Sequence, residues 1–263
     1  MIRPLIAFFL VLFVCSASSW ARIDFDGTDD YVDAGTVTNL TATTTTISAW
    51  INLDSNTIQQ YFVVQQNSGA TANNGVLLWS PGATGTGRFA MTGNLQLASP
   101  VFRHASDSTL STSTTYHVLG TWDGTNTATG INLYVNGSET SYAVTTNGSG
   151  TPTSSTGKTI FGGGTAVANR FMNGRLWEIA VWNVVLNAQE IAHLANSRVR
   201  GMSLQIRPAS LIGYWPLDDQ PDGASADADT LADYGPSRFN ATGVDGANNT
   251  GLASEAERTL SFP

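Results

Sequence analysis

The sequence predicts an all-β protein, a sandwich of antiparallel strands carrying one short helix near 188–196. Three observations carry that prediction. Apolar and polar residues alternate with period two in many short stretches, the pattern of half-buried strands. Turn chemistry separates them, most clearly at Asn136-Gly137, a pair that favours the type I′ turn whose twist matches two paired strands. The stretch Gly174 to Ile191 reads as an apolar strand running into a capped helix, with Asn187 and Glu190 placed for a capping box. Many strands and a single helix argue for a sandwich over an alternating α/β fold.

Taken in order, Ile23 to Asp26 alternates and Asp26-Gly27 turns it. Tyr31 to Ala34 restarts it. Thr46 to Leu53 is a clear strand with Ile47, Ala49, Ile51 and Leu53 on one face. Gln60 to Gln66, Val76 to Trp79 and Gly87 to Thr92 follow, the first two separated by a Gly/Asn loop at Asn67 to Gly75. Thr115 to Trp122 and Ile131 to Val135 are strong strands, and the Asn136-Gly137 turn predicts a return strand over Glu139 to Val144. Thr145 to Gly157, rich in Thr, Ser, Gly and Pro, reads as a surface loop. Thr159 to Phe161 leads into three glycines. After the helix, whose apolar stripe is Ile191 and Leu194, Leu211 to Leu217 is a last strong strand.

The ends read differently. Arg3, the ten-residue apolar run Leu5 to Val14 and the small-x-small triplet Ser19-Trp20-Ala21 make residues 1–21 a secretory signal peptide. Ten apolar residues are too few to span a bilayer. The sandwich is expected over 22–218, with no linker to divide it. Residues 219–263 are expected to form a loop-rich tail, packed on the same domain or extending from it.

Cys15 lies in the signal peptide and is the sole cysteine, so the mature chain has no disulfide and no thiol chemistry. After Ala21 there are 11 basic and 20 acidic residues, a net charge of −9, and Lys158 is the single lysine. An acidic chain without basic clusters argues against nucleic acid and anionic membranes as partners. A charged fraction of 12% with many Thr, Ser, Asn and Gly suits a polar, uncharged extracellular surface.

Several motifs, in order, resemble one family. Phe25-Asp26-Gly27-Thr28-Asp29-Asp30-Tyr31-Val32 looks like the first-strand motif of the laminin-G-like jellyroll domains, and Ile47-Ser48-Ala49-Trp50-Ile51 like their next core strand. His117 to Asp123, with Leu133 to Gly137 after it, is similar to a pentraxin segment. Gly174 to Ile191 matches nearly residue by residue, and Leu211 to Leu217 sits where pentraxins place their final strand. The resemblance covers roughly residues 23 to 218 and implies a laminin-G-like/pentraxin-like domain of the concanavalin A-like lectin/glucanase superfamily. The fold it implies is a two-sheet antiparallel jellyroll.

The resemblance also bears on metal chemistry. Pentraxins bind calcium through an Asp-Asn pair before an apolar strand and an acidic cluster on a later loop. Asn73-Asn74, before Val76 to Trp79, matches the first element, but no carboxylate stands near Gly162 to Thr165 for the second. Calcium prefers several oxygen ligands, usually with carboxylates among them. Other candidates are Asp26, Asp29, Asp30 and Asp33, and Asp218, Asp219 and Asp233, any of which could instead serve turns and caps. No cofactor is required by the sequence; a structural Ca2+ is the one the Asp-rich pieces would suit.

Signs of catalysis are sparse. Retaining glycosidases need two carboxyls about 5–5.5 Å apart, which on one strand means acids two residues apart. Glu178 has Ala180 at that position. His104, His117 and His193 are isolated, and His117 reads as a structural histidine on a core strand. The expectation is therefore a secreted, non-catalytic module that binds glycans or cell-surface and matrix components, with Asn73, Asn74, Trp79 and Tyr61 as candidate contacts. The alternatives are a structural subunit of a fibre, surface layer or virion, and a glycoside hydrolase. In the structural reading the Leu211–Leu217 strand could be donated to a neighbouring copy to form a homo-oligomer, although the family order favours pairing within the chain.

Overall fold

The computed structural model describes residues 22–37, 44–66, 73–82, 87–93, 99–151, 157–164, 170–197, 199–218, 227–244 and 253–254. Residues 1–21, the expected signal peptide, lie outside them, as does Asp219. In chain order the first strands are β1 (Ile23–Asp26), β2 (Tyr31–Asp33), β3 (Thr45–Leu53), β4 (Gln60–Gln66), β5 (Asn73–Ser80), β6 (Ala90–Thr92), β7 (Phe102–Ala105), β8 (Thr115–Trp122) and β9 (Ile131–Val135). They continue as β10 (Ser138–Glu139), β11 (Tyr142–Thr146), β12 (Lys158–Phe161), β13 (Asn173–Trp182), β14 (Leu211–Trp215), β15 (Thr230–Leu231), β16 (Ala241–Val244) and β17 (Ala253–Ser254). Helix α1 (Ala188–Asn196) lies between β13 and β14.

The strands form two antiparallel sheets, a jellyroll sandwich. The first runs β10-β9-β8-β3-β13-β1-β17, with β14 also paired to β13; the second runs β11-β7-β6-β5-β4-β12-β2-β16-β15. Period-two alternation decides what lies between them. Ile47, Ala49, Ile51 and Leu53 of β3 all point inward and are fully buried. They meet Phe62, Leu78, Met91 and Phe161 from the second sheet in one continuous core. Gly120 of β8 faces that core because the sheets approach closely there: a Cβ would stand 2.7 Å from Met91 Sδ.

The sequence placed most strands to within a few residues, with one topological exception. Asn136 and Gly137 both take positive φ (49° and 81°), as the type I′ turn requires. The predicted return strand, however, is divided. Ser138 and Glu139 pair with β9 in the first sheet, while β11 crosses over and pairs with β7 in the second. β7 itself is absent from the sequence reading because Phe-Arg-His-Ala has no apolar alternation; its pairing on both sides holds it in place. Thr145 and Thr146, read as loop, belong to β11.

β14 pairs within the chain, Ile179↔Trp215 through Trp182↔Leu211, on the side of β13 whose other half is taken by β1. Beyond residue 218, β15 and β16 extend the second sheet through β2, and β17 pairs with β1. Helix α1 begins as the sequence implies. Asn187 accepts from the amides of Gln189 and Glu190, and the Glu190 carboxylate accepts from the Asn187 amide. Ile191 and Leu194 then bury against Leu119, Ala180, Trp182 and Tyr214 on the outer face of the first sheet. Among the described residues, no helix is long and apolar enough to cross a membrane.

Candidate functional site

Among the described residues, three side-chain groupings stand outside the core. The first lies on the outer face of the second sheet. Register sets it: Tyr61 lies opposite Trp79, Trp79 opposite Ala90, and Ala90 opposite His104. Alanine between two rings leaves room for them to meet, and Trp79 and His104 contact edge to face at 5.5 Å. Phe102, two residues before His104 on the same face, lies 5.2 Å from it. Trp79 is also edge to face with Tyr61 at 6.3 Å, and Val64, Leu77 and Ile160 pack beneath. Tyr61 is 1% exposed, and the Arg170 guanidinium lies 5.5 Å from its ring centre. Trp79, Phe102 and His104 are each partly exposed.

The row is aromatic and uncharged. Burial, aided by the positive charge of Arg88, pushes the His104 imidazole down to about 4, so it is neutral at physiological pH. Trp79 Nε1 and His104 Nε2 are shielded from water and have no hydrogen-bond partner in the protein, an uncommon state for such groups. Of the contacts expected from the sequence, Tyr61 and Trp79 are thus brought together, with Tyr61 as the buried support. Asn73 and Asn74 open β5, where Asn73 pairs with Gln66, but their side chains lie outside the described residues. Sequence reasoning missed Phe102 and His104; their spacing of two was the available signal.

The second grouping is acidic. Asp26, Asp29 and Asp30 each bring a carboxylate oxygen within 4.8 Å of the others. The tight turn after β1 does this: Thr28 N donates to Asp26 Oδ1 at 2.7 Å and Asp26 N to Asp30 Oδ2 at 2.9 Å. Asp30 is fully buried, and Asp29 Oδ1 is buried without a hydrogen-bond partner. An all-oxygen set with an unsatisfied carboxylate oxygen fits a hard cation such as calcium. The other aspartates do not join it. Asp33 accepts from Lys158 and from Gly35 N. Asp218 pairs with Arg200 at 2.5 Å. Asp233, 0% exposed, accepts from the amides of Tyr214 (2.8 Å), Gly235 (2.7 Å) and Phe239 (2.8 Å). Of the sequence candidates Asp218, Asp219 and Asp233, Asp219 lies outside the described residues and the other two are engaged otherwise. One is in an ion pair and the other is a backbone clamp, and among the described residues they belong to no metal-binding group.

The third grouping is a small chamber between the first sheet and the end of α1. Ser48, His117 and Glu178 come to it from β3, β8 and β13, and Ser197, Met202 and Ser203 form the far wall. Ser48 Oγ and His117 Nε2 are 2.8 Å apart. Such a pair is what a nucleophilic hydrolase employs, but here Ser48 is 2% and His117 1% exposed. The chamber is about 10 Å³, the room of one water and no substrate. Burial also drops the His117 imidazole to about 3, too weak a base for the role at neutral pH. His117 is structural, as the sequence suggests, although only Nε2 is satisfied and Nδ1 has no partner.

The family model of the concanavalin A-like lectin/glucanases superfamily matches residues 26–192, more than half of the chain. No curated protein sequence matches it. Among solved structures, a Bacteroides ovatus protein with a provisional carbohydrate-binding assignment is 19% identical with a TM-score of 0.56 over 91% of this chain. The chain spans only 60% of that protein's length. The heptameric SAP-like pentraxin of Limulus polyphemus is 15% identical over 67% of this chain and 82% of its own, with a TM-score of 0.45. Domains LG4-5 of the mouse laminin alpha1 chain are 10% identical over 62% of this chain and 41% of theirs, also with a TM-score of 0.45. At these identities the likeness is one of fold.

Proposed function

The chain belongs to the concanavalin A-like lectin/glucanases superfamily, and we propose that it is a secreted, non-catalytic glycan-binding module whose contact surface is the Trp79–His104–Phe102 row. The observation that carries this reading is the row itself: three partly exposed aromatic rings in contact on one sheet face. The C–H face of a pyranose packs against aromatic surface, and hydroxyls at its rim seek polar partners. Trp79 Nε1 and His104 Nε2, unsatisfied in the free protein, become available to those hydroxyls through small ring rotations. The partner named in the Bacteroides ovatus protein's description, carbohydrate, agrees with this reading. A non-catalytic role is supported by the size of the Ser48–His117 chamber and by Ala180 standing where a second carboxyl would accompany Glu178.

A glycan array with wild-type protein tests the proposal. Binding to at least one saccharide class without release of shorter products is expected; an array without hits at millimolar ligand would overturn it. Trp79→Ala is expected to weaken the best hit by about 2 kcal/mol, roughly 30-fold, the usual effect of removing an aromatic anchor. Unchanged affinity in that variant would place the contact elsewhere.

A structural calcium at Asp26, Asp29 and Asp30 completes the proposal. The ion would tie the β1–β2 turn through carboxylates. A ligand that binds only the folded state stabilises it by about 2.7 kcal/mol at a hundredfold excess over Kd. Millimolar calcium is expected to raise the unfolding midpoint by several degrees, EDTA to reverse the rise, and Asp29→Ala to abolish it. An unchanged midpoint in wild-type protein would contradict the assignment.

A further inference from the structure

Glu178 is a carboxyl group that neither the glycan-binding row nor the acidic turn employs, and its setting is unusual. It stands at a bulge: the pairing of β13 with β3 passes from Trp177↔Trp50 directly to Ala180↔Ser48. Its φ of 52° is left-handed, a conformation that costs a non-glycine residue about 1 kcal/mol or more. The bulge places the side chain in the chamber beneath α1, where it is 6% exposed. There Tyr214 Oη donates to Oε1 at 2.5 Å, and the Gly201 amide donates to Oε2 at 3.3 Å. The carboxyl thus joins β13, β14 and the segment that follows α1.

We propose that Glu178 is a proton-dependent latch that fastens the wall formed by Val199 to Gln205 onto the first sheet, and that its ionisation loosens this wall.

The surroundings explain the direction. The titratable and charged groups facing Glu178 are Tyr214 from β14, His117 from β8, Arg200 from the wall and Asp218 after β14; α1 contributes Leu194 and Ser197 to the chamber, with no charge. Arg200 is paired with Asp218. Burial, partly offset by the Tyr214 and Gly201 hydrogen bonds, raises the Glu178 carboxyl to about 7. Protonated, it completes a neutral chamber. Ionised, it places a negative charge beside a histidine that stays neutral, competes with Asp218 for Arg200, and demands more than the one water a 10 Å³ space holds. The wall is the yielding element. Val199 is 59% and Leu204 37% exposed, while Ser203 is its buried residue. Gly201, at φ 76°, gives it a pivot.

Amide hydrogen exchange on the full chain at pH 5.5 and 8.5, corrected for intrinsic exchange rates, tests this. Amides of residues 200–206 are expected to exchange roughly tenfold faster at the higher pH, a local opening, while those of β15 and β16 keep their protection. Glu178→Gln, which stays neutral, is expected to abolish the difference. Tyr214→Phe removes a donor that favours the carboxylate, so its opening midpoint is expected to rise by on the order of half a unit. Equal protection of wild-type protein at both pH values overturns the latch. So does a Glu178→Gln variant that retains the full pH response, or a Tyr214→Phe midpoint that stays in place.

Discussion

Asp233→Ala is expected to destabilise the protein by about 3–5 kcal/mol, among the largest effects of any single substitution outside the apolar core. The carboxylate is fully buried and accepts from three backbone amides on two sides of a junction. Tyr214 N belongs to β14; Gly235 N and Phe239 N belong to the loop between β15 and β16. Removing the acceptor leaves three donors without partners, each at about 1–3 kcal/mol before relaxation. Little relaxation is open to them. Tyr234 N already donates to Tyr214 O at 2.8 Å, and Trp215 Nε1 donates to Phe239 O at 2.7 Å, so the loop is tied to β14 from both ends. At Gly235 a Cβ would stand 2.8 Å from both Asp233 Oδ1 and Gly213 Cα. Asp233→Asn keeps one acceptor and should lose less. Urea unfolding of the three proteins measures the ordering; a loss below about 1 kcal/mol in the alanine variant would mean that the clamp is dispensable.

The second large effect is a stability difference that depends on pH. Glu178 has a folded-state pKa raised from 4.5 to about 7 by burial. Between those values the unfolded chain has lost the proton and the folded chain keeps it, so stability falls as pH rises across that window. A shift of this size corresponds to about 3 kcal/mol, as an order of magnitude. Wild-type protein alone would hide it. His117 and His104 are lowered to about 3 and about 4, so the unfolded state binds their protons first as pH falls below about 6.5, and stability rises with pH over part of the same range. The opposing trends partly cancel. The difference between wild type and Glu178→Gln isolates the carboxyl, and is expected to shift by about 3 kcal/mol in favour of the variant from pH 4.5 to 7.5. A constant difference across that range would show that Glu178 titrates normally.

Much of the sandwich was legible because period-two alternation and turn chemistry are local. Ile47 to Leu53, the Asn136-Gly137 hairpin and the Asn187 capping box each follow from residues a few positions apart. What escaped the reading depends on non-local pairing. Thr140 and Ser141 carry no sign that the chain changes sheets after them, because β11 is selected by the free edge of β7. Phe102 and His104 acquire meaning only when Ala90 brings Trp79 beside them. Asp218 and Asp233 illustrate the same limit. An aspartate near others in sequence reads equally as a ligand, an ion-pair partner or a clamp, and only Arg200 and the three amides decide which it is. That Glu178 lacks a second carboxyl two residues on is plain from the sequence, whereas its tyrosine partner lies 36 residues away.

The central claim is that the outer face of the second sheet takes the glycan, and a protection footprint tests it most directly. Hydrogen exchange of the full chain, with and without the strongest array hit at saturation, should slow at β4 to β7 around Trp79, Phe102 and His104, and should leave β3, β8 and the Asp26–Asp30 turn unchanged. Protection confined to that turn, or to the first sheet, with β5 and β7 unaffected, would contradict it.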